Sequence, residues 1–185
     1  MAKVLIPLAN GFEDIEALTC VDVLRRGGVE VVTASVRPVL DVRSAHGVTV
    51  CADALFSDVA DAPYDAIVLP GGGEGTANLK SCISLVRRLR RQHEEGRLIC
   101  AICAAPTILV SAGVLDEGTQ VTCYPSCQME LDRPWSPSPV VVDKTIVTGQ
   151  APGSALLFAL VVLRALMGEP VAHKVAQGMV TDVLM

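Results

Sequence analysis

Aromatic residues make up only 3% of this 185-residue chain: one tryptophan, two tyrosines and three phenylalanines. Its interior therefore cannot be built around large rings. Valine, alanine and leucine fill it instead, in a composition that is 51% apolar, and such small or β-branched side chains suit a sheet covered on both faces. Charge is also sparse, at 19% of residues, which excludes a disordered chain. There is no basic excess. Fifteen Lys and Arg face twenty Asp and Glu for a net charge of −5, which argues against nucleic acid as a partner. Long apolar runs are missing too. The longest, Ala155 to Leu163, is cut by Arg164, well short of the roughly twenty residues a membrane span needs. No leader segment is visible before the strand-like run at Lys3. The seven cysteines are odd in number and lie inside hydrophobic segments rather than in a loop framework, so the expected setting is the reducing cytoplasm, with free thiols.

What is present is alternation. Lys3 to Ala9 reads as a buried strand, followed by a helix from Glu13 to Arg26 with Ile15, Leu18, Val21 and Leu24 on one face. Strands are expected at Glu30–Val36, Ala66–Leu69, Leu98–Ile102 and Val121–Cys123, with an antiparallel excursion within Pro38–Ala52 and a late hairpin turning at Asp143 and Lys144. Helices are expected from Gly75 to Glu95 with a break near Ser81, from Pro106 to Ala112, from Pro152 to Met167 and from Pro170. The predicted class is α/β: a doubly wound, mainly parallel sheet with helices on both faces, in one domain spanning residues 1–185. Such folds hold ligands beyond the C-terminal ends of their strands.

Two strand-to-helix turns carry the chemistry. The first, Leu69 to Thr76, is rich in glycine but lacks the lysine of a phosphate loop. It is either a tight connection or a stretch of free backbone N–H groups aimed at a developing anion. The second runs from Leu98 into Cys103, followed by Ala104, Ala105 and Pro106. It copies the layout of a nucleophile elbow, and a helix N-terminus there is expected to lower the thiol's pKa; a buried structural cysteine is the plainer reading. Glu16 shares the i±4 row of Phe12 and Cys20. An inward carboxyl would carry a proton near neutrality, whereas an ordinary acidic residue at a helix start would not. Cys100 and Cys103 have a dithiol spacing, and Cys123 and Cys127 would complete a zinc set, but Cys100 lies mid-strand, so no metal and no cofactor is expected. Cys20, Cys51 and Cys82 read as packing residues. The histidines, His46, His93 and His173, and the run Arg87, Arg88, Arg90 and Arg91 read as solvated.

Taken in order, Gly11–Glu16, Val21–Gly28, Asp65–Gly72, Ala101–Thr107 and Ala151–Ser154 resemble the DJ-one/ThiJ/PfpI superfamily, near the branch of the parkinsonism-associated deglycase. The resemblance runs from Lys3 to about Asp182. It implies a flavodoxin-like sandwich of the class I glutamine amidotransferase-like kind, and a homodimer. By motif, Cys103 matches the family nucleophile and oxidation site, Glu16 its hydrogen-bonding acid, and Gly72 and Ala104 the oxyanion-binding N–H groups. Tyr124, Gln150 and Pro152 fall at pocket positions. The implied activity is cofactor-independent glyoxalase or deglycase chemistry on methylglyoxal, glyoxal or early glycation adducts on proteins. The alternative is a redox sensor or chaperone working through Cys103 oxidation. Ala104 replaces the histidine of the protease-like branch, which excludes peptidase and amidotransferase chemistry. Tyr124 and Gln150 replace a histidine and an arginine of the animal members, and Cys51 matches their second, peripheral cysteine.

Overall fold

Four short apolar runs of Val, Ile, Leu and Ala are buried on both faces, as parallel strands between helices must be. They are Lys3–Leu8 (β1), Glu30–Ser35 (β2), and later Ala66–Leu69 and Leu98–Ile102. In the computed structural model, which describes residues 1–182, they form the centre of a seven-stranded sheet. Between them, Asp14–Arg26 (α1) follows β1, and a small hairpin of Asp41–Arg43 (β3) and Thr49–Cys51 (β4) follows β2. Ala54–Leu55 (β5) and the single turn Phe56–Val59 (α2) lead to Ala66–Leu69 (β6). Gly73–Ser81 (α3) and Ile83–Glu94 (α4) are separated at Cys82, and Leu98–Ile102 (β7) leads into Pro106–Ala112 (α5). The chain closes with a hairpin of Val140–Asp143 (β8) and Ile146–Gly149 (β9), then Ala155–Met167 (α6) and Glu169–Gly178 (α7). The sheet order is β5-β2-β1-β6-β7-β9-β8, with every pair parallel except β8 with β9.

Two apolar layers sandwich the sheet. One side gathers Val4, Ile6, Val68 and Ile102 with α1, α6 and α7; the other gathers Leu5, Ile67, Leu69 and Ile99 with the helices α2 to α5. The expected class is the observed one: doubly wound, mainly parallel, with helices on both faces. No described helix is long and apolar enough to cross a membrane.

Four expectations are corrected. The buried face of α1 is Glu16, Ala17, Cys20, Val23 and Leu24, while Ile15 and Leu18 are exposed. The helix carries two apolar stripes, and it is the one continuing from Phe12 that meets α6. Val121–Cys123 makes one isolated bridge, to Trp135, rather than a strand. The Thr122 N–H is taken by the Thr148 hydroxyl at 2.9 Å, and the surrounding prolines offer no donors for a ladder. Among the cysteines read as packing residues, Cys20 is buried and Cys82 packs half-buried against the core, but Cys51 is exposed. Arg88, assigned to a solvated run, is buried at 4% exposure against Tyr64. The pair β5 and α2 was not foreseen; two-residue strands and one-turn helices leave no periodicity to read.

Candidate active site

The site forms where β7 ends. Cys103 follows the last residue of that strand with φ +65°, a left-handed conformation that costs a non-glycine residue about 1–3 kcal/mol. Its surroundings hold it there. The Cys103 N–H donates to the Gly149 carbonyl at 3.0 Å, its carbonyl accepts from the Tyr124 N–H at 2.8 Å, and the Ala105 N–H closes onto the Ile102 carbonyl at 3.0 Å. The strained turn lifts the side chain off the sheet edge, the geometry of a nucleophile elbow. The residue retains 8% exposure, against 0% for Cys100 within β7.

Glu16 reaches the same point from α1. Glu13 caps the helix, accepting the Glu16 N–H at 2.8 Å, and the Glu16 side chain is fully buried. Its Oε2 accepts the Gly71 N–H at 2.7 Å; Oε1 is buried with no donor in good hydrogen-bond geometry, while the Cys103 thiol lies close enough to the carboxyl to couple their ionisations. Burial is the largest influence on Glu16 and lifts its pKa to about 7, the Gly71 and Cys103 hydrogen bonds opposing and the Glu13 charge adding to the rise. A carboxyl so placed holds or releases a proton at neutral pH.

The thiol behaves otherwise than its position suggests. The Gly72 and Ala104 N–H groups do point at Cys103 and favour its thiolate, yet burial and then the Glu16 charge and hydrogen bond push it up to about 12. The expected lowering is therefore corrected: two N–H groups do not outweigh desolvation beside a carboxylate. Protonating Glu16 removes that charge and leaves the N–H pair facing the sulfur.

The glycine turn is what lets these pieces approach. A Cβ on Gly71 would stand 2.7 Å from both the Cys103 Cβ and Glu16 Oε2. Gly72, at φ +91°, would drive one to 2.2 Å from the Gly11 carbonyl oxygen. Sequence reasoning singled out Gly72 and missed Gly71, although the same glycine run contained it. Thus Cys103, Glu16, Gly72 and Ala104 converge, and Gly71 joins them. Tyr124 is exposed and touches the elbow through its backbone. Gln150 and Pro152 follow Gly149 immediately; the Gln150 amide is turned to the Pro137 carbonyl at 3.2 Å, and no hydrogen bond joins either residue to Cys103. The cysteines do not gather into a metal-ligating set among the described residues, and all seven are free. His46 pairs with Asp14 at 2.7 Å, His93 faces Asp116 at 3.6 Å, and His173 pairs with Glu169 at 3.0 Å, so none serves the thiol.

Residues 2–165 match the family described as DJ-1/PfpI. Protein DJ-1 homolog B of Arabidopsis thaliana is 40% identical over 185 residues, covering 96% of this chain and 41% of its own length. The chain thus spans about two fifths of that plant relative. The glutathione-independent glyoxalase DJR-1.2 of Caenorhabditis elegans is 34% identical over 172 residues, 90% of this chain and 89% of its own. The solved structure of oxidized Toxoplasma gondii DJ-1 superposes with a TM-score of 0.94 at 38% identity, covering 98% of this chain and 99% of that one.

Proposed function

Since the chain belongs to the DJ-1/PfpI family, we propose that it is a cysteine-dependent glyoxalase, and by the same adduct chemistry a deglycase, for methylglyoxal, glyoxal and their early protein adducts. The observation that carries the reading is the buried Glu16 carboxyl, with a pKa of about 7, set against the elbow thiol of Cys103. A relative named as a glutathione-independent glyoxalase supports it.

The steps follow from the positions. The Cys103 sulfur attacks the aldehyde carbon of methylglyoxal, its proton passing to Glu16. The hemithioacetal oxygen rests on the Gly72 and Ala104 N–H groups that face the sulfur. Glu16 first gives that proton to the hemithioacetal oxygen; as a carboxylate it then takes the proton from the former aldehyde carbon and delivers it to the former ketone carbon, while the hydroxyl proton moves to the former ketone oxygen. This internal redox step leaves a thioester, which water hydrolyses to lactate and free thiol. The net reaction adds one water to methylglyoxal. Tyr124, Gln150 and Pro152 are proposed to line the substrate side. Free thiols throughout the chain fit a reducing, cytoplasmic setting, and the exposed Ile15 and Leu18 on α1 support a homodimer.

A second reading is oxidation of Cys103 to sulfinic acid with little turnover, held by the same two N–H groups and a protonated Glu16. The solved structure of the oxidized Toxoplasma relative favours it. One experiment separates the two: lactate formed from methylglyoxal without glutathione, for the wild type, Cys103→Ser and Glu16→Gln. Catalytic lactate from the wild type, lost by at least about a hundredfold in both variants, is the expected result. No lactate above buffer, with peroxide adding two oxygens at Cys103 alone, establishes the sensor instead.

A further inference from the structure

The burial of Arg88 has a counterpart on the surface. A cleft of about 580 Å³ opens beyond the C-terminal end of β2, between α2 and α4. Arg37, Arg87, Arg88 and Arg91 line it, with Asp61 as the one acidic residue among them and hydroxyls from Ser57 and Ser84. In a chain of net charge −5, four guanidinium groups facing one cleft form a local reversal of sign. Ion pairs do not account for all four. Arg87 has no hydrogen bond or ion pair among the described residues, and Arg37 bonds the neutral oxygens of Asn10 and Asp41 at 3.1 Å. Arg91 is held by Glu95 at 2.8 Å.

Arg88 is the second, independent sign. It is 4% exposed; Nη2 donates to Gln92 at 2.7 Å, and the guanidinium lies 5.9 Å from the Tyr64 ring centre. Its nearest carboxylate, Glu95, is at 4.0 Å, the limit of an ion pair. Nε and Nη1 are buried and have no acceptor at all. Desolvation lowers the Arg88 pKa, which marks the charge as under-compensated. A buried guanidinium charge without a close carboxylate is costly, and an oxyanion in the adjoining cleft offsets it.

We propose that this cleft binds the phosphate group of a small anionic metabolite, with Arg37, Arg87 and Arg91 making the contacts and the buried Arg88 charge behind them strengthening the attraction. The concave shape and single buried guanidinium select a compact phosphate over a nucleic acid, whose backbone asks for a broad basic surface. The cleft shares no residue with the Cys103 site and lies three strands away across the sheet, roughly 14 Å at the usual strand spacing.

Inorganic pyrophosphate titrated into the full chain at low salt tests it, read by calorimetry and by the Arg Nε–H resonances. Saturable binding that moves the Arg88 resonance is expected. Arg87→Gln should weaken it by up to about fivefold, as for an exposed charge, and Arg88→Gln by about tenfold or more; Asp61→Asn should tighten it. If Arg88→Gln does not fold, the Arg87→Gln/Arg91→Gln double variant carries the test, and lactate formation in that variant should equal the wild type. Shifts that never saturate, or binding unchanged in the double variant, would overturn the proposal. So would sulfate binding as tightly as pyrophosphate, or saturation by oligoglutamate but not by pyrophosphate, which would mark an acidic protein partner instead.

Discussion

Glu16 couples stability to pH because its carboxyl is fully buried and its pKa is raised from 4.5 to about 7. Below pH 4.5 the folded and unfolded chains both carry the proton, and the fold has its full stability. As pH rises from 4.5 to about 7 the unfolded chain releases that proton while the folded one keeps it, so stability falls, and above 7 the loss is complete. Two and a half units correspond to about 3 kcal/mol at the usual 1.36 kcal/mol per unit. Glu16→Gln has no such group. Its stability relative to the wild type should therefore rise by about 3 kcal/mol between pH 4.5 and pH 8, since all other titrating groups cancel in the difference. Urea unfolding of both proteins at the two pH values measures it, and a difference constant with pH would show that Glu16 is not held protonated. The same pair bounds what the sequence could say. The i±4 row through Phe12 and Cys20 marked Glu16 as inward, but nothing in the residue string foretold that burial and this carboxyl would push Cys103 up rather than down.

At the scale of elements, the turn between β6 and α3 separates glycines needed for conformation from those that are not. A Cβ on Gly72 would press on backbone atoms of Gly11, Glu13 and Phe12, with φ at +91°; one on Gly73 would meet nothing within 4 Å. Gly72→Ala is expected to cost about 2–4 kcal/mol and to lower the melting temperature by on the order of 10 °C. Gly73→Ala should be neutral or stabilising by up to about 1 kcal/mol, since α3 begins there. Equal melting temperatures for the two variants would mean that the turn relaxes. The elements were legible where a period lasted long enough. The buried runs of β1, β6 and β7, the stop at Gly113 and the break near Ser81 all fall where apolar pattern and breakers put them. What failed was orientation. On α1, Ile15 and Leu18 carry the same apolar signal as Val23 and Leu24, and on α4 one arginine of four is buried. Periodicity shows that faces exist; which one meets the sheet depends on partners distant in sequence.

For the whole molecule, those misjudged residues point outward together. Ile15 and Leu18 on α1 are 55% and 40% exposed, and Val48 on the neighbouring hairpin is 50% exposed. The hairpin is fastened to the start of α1 by the Ala45 N–H on the Phe12 carbonyl and by His46 on Asp14, so the two elements are held together beside these side chains. In a two-fold dimer each appears twice. With 40% of its surface left to bury, two copies of Leu18 are worth about 1–2 kcal/mol, and two glutamates in their place add repulsion across the axis. Leu18→Glu is thus expected to weaken self-association by about tenfold or more, at 1.4 kcal/mol per tenfold, while the fold stays intact because the residue is exposed in the single chain. Light scattering coupled to gel filtration across a concentration series reads this directly. The wild type should elute at twice 19.4 kDa and the variant at the single-chain mass. A monomeric wild type would refute the dimer, and a Leu18→Glu dimer would place the interface on another face. Because α1 carries Glu16 one residue after Ile15, an interface on this face would also brace the helix that holds the proton-carrying group. Lactate formation should then fall in Leu18→Glu in step with dissociation, and recover at protein concentrations that restore the dimer.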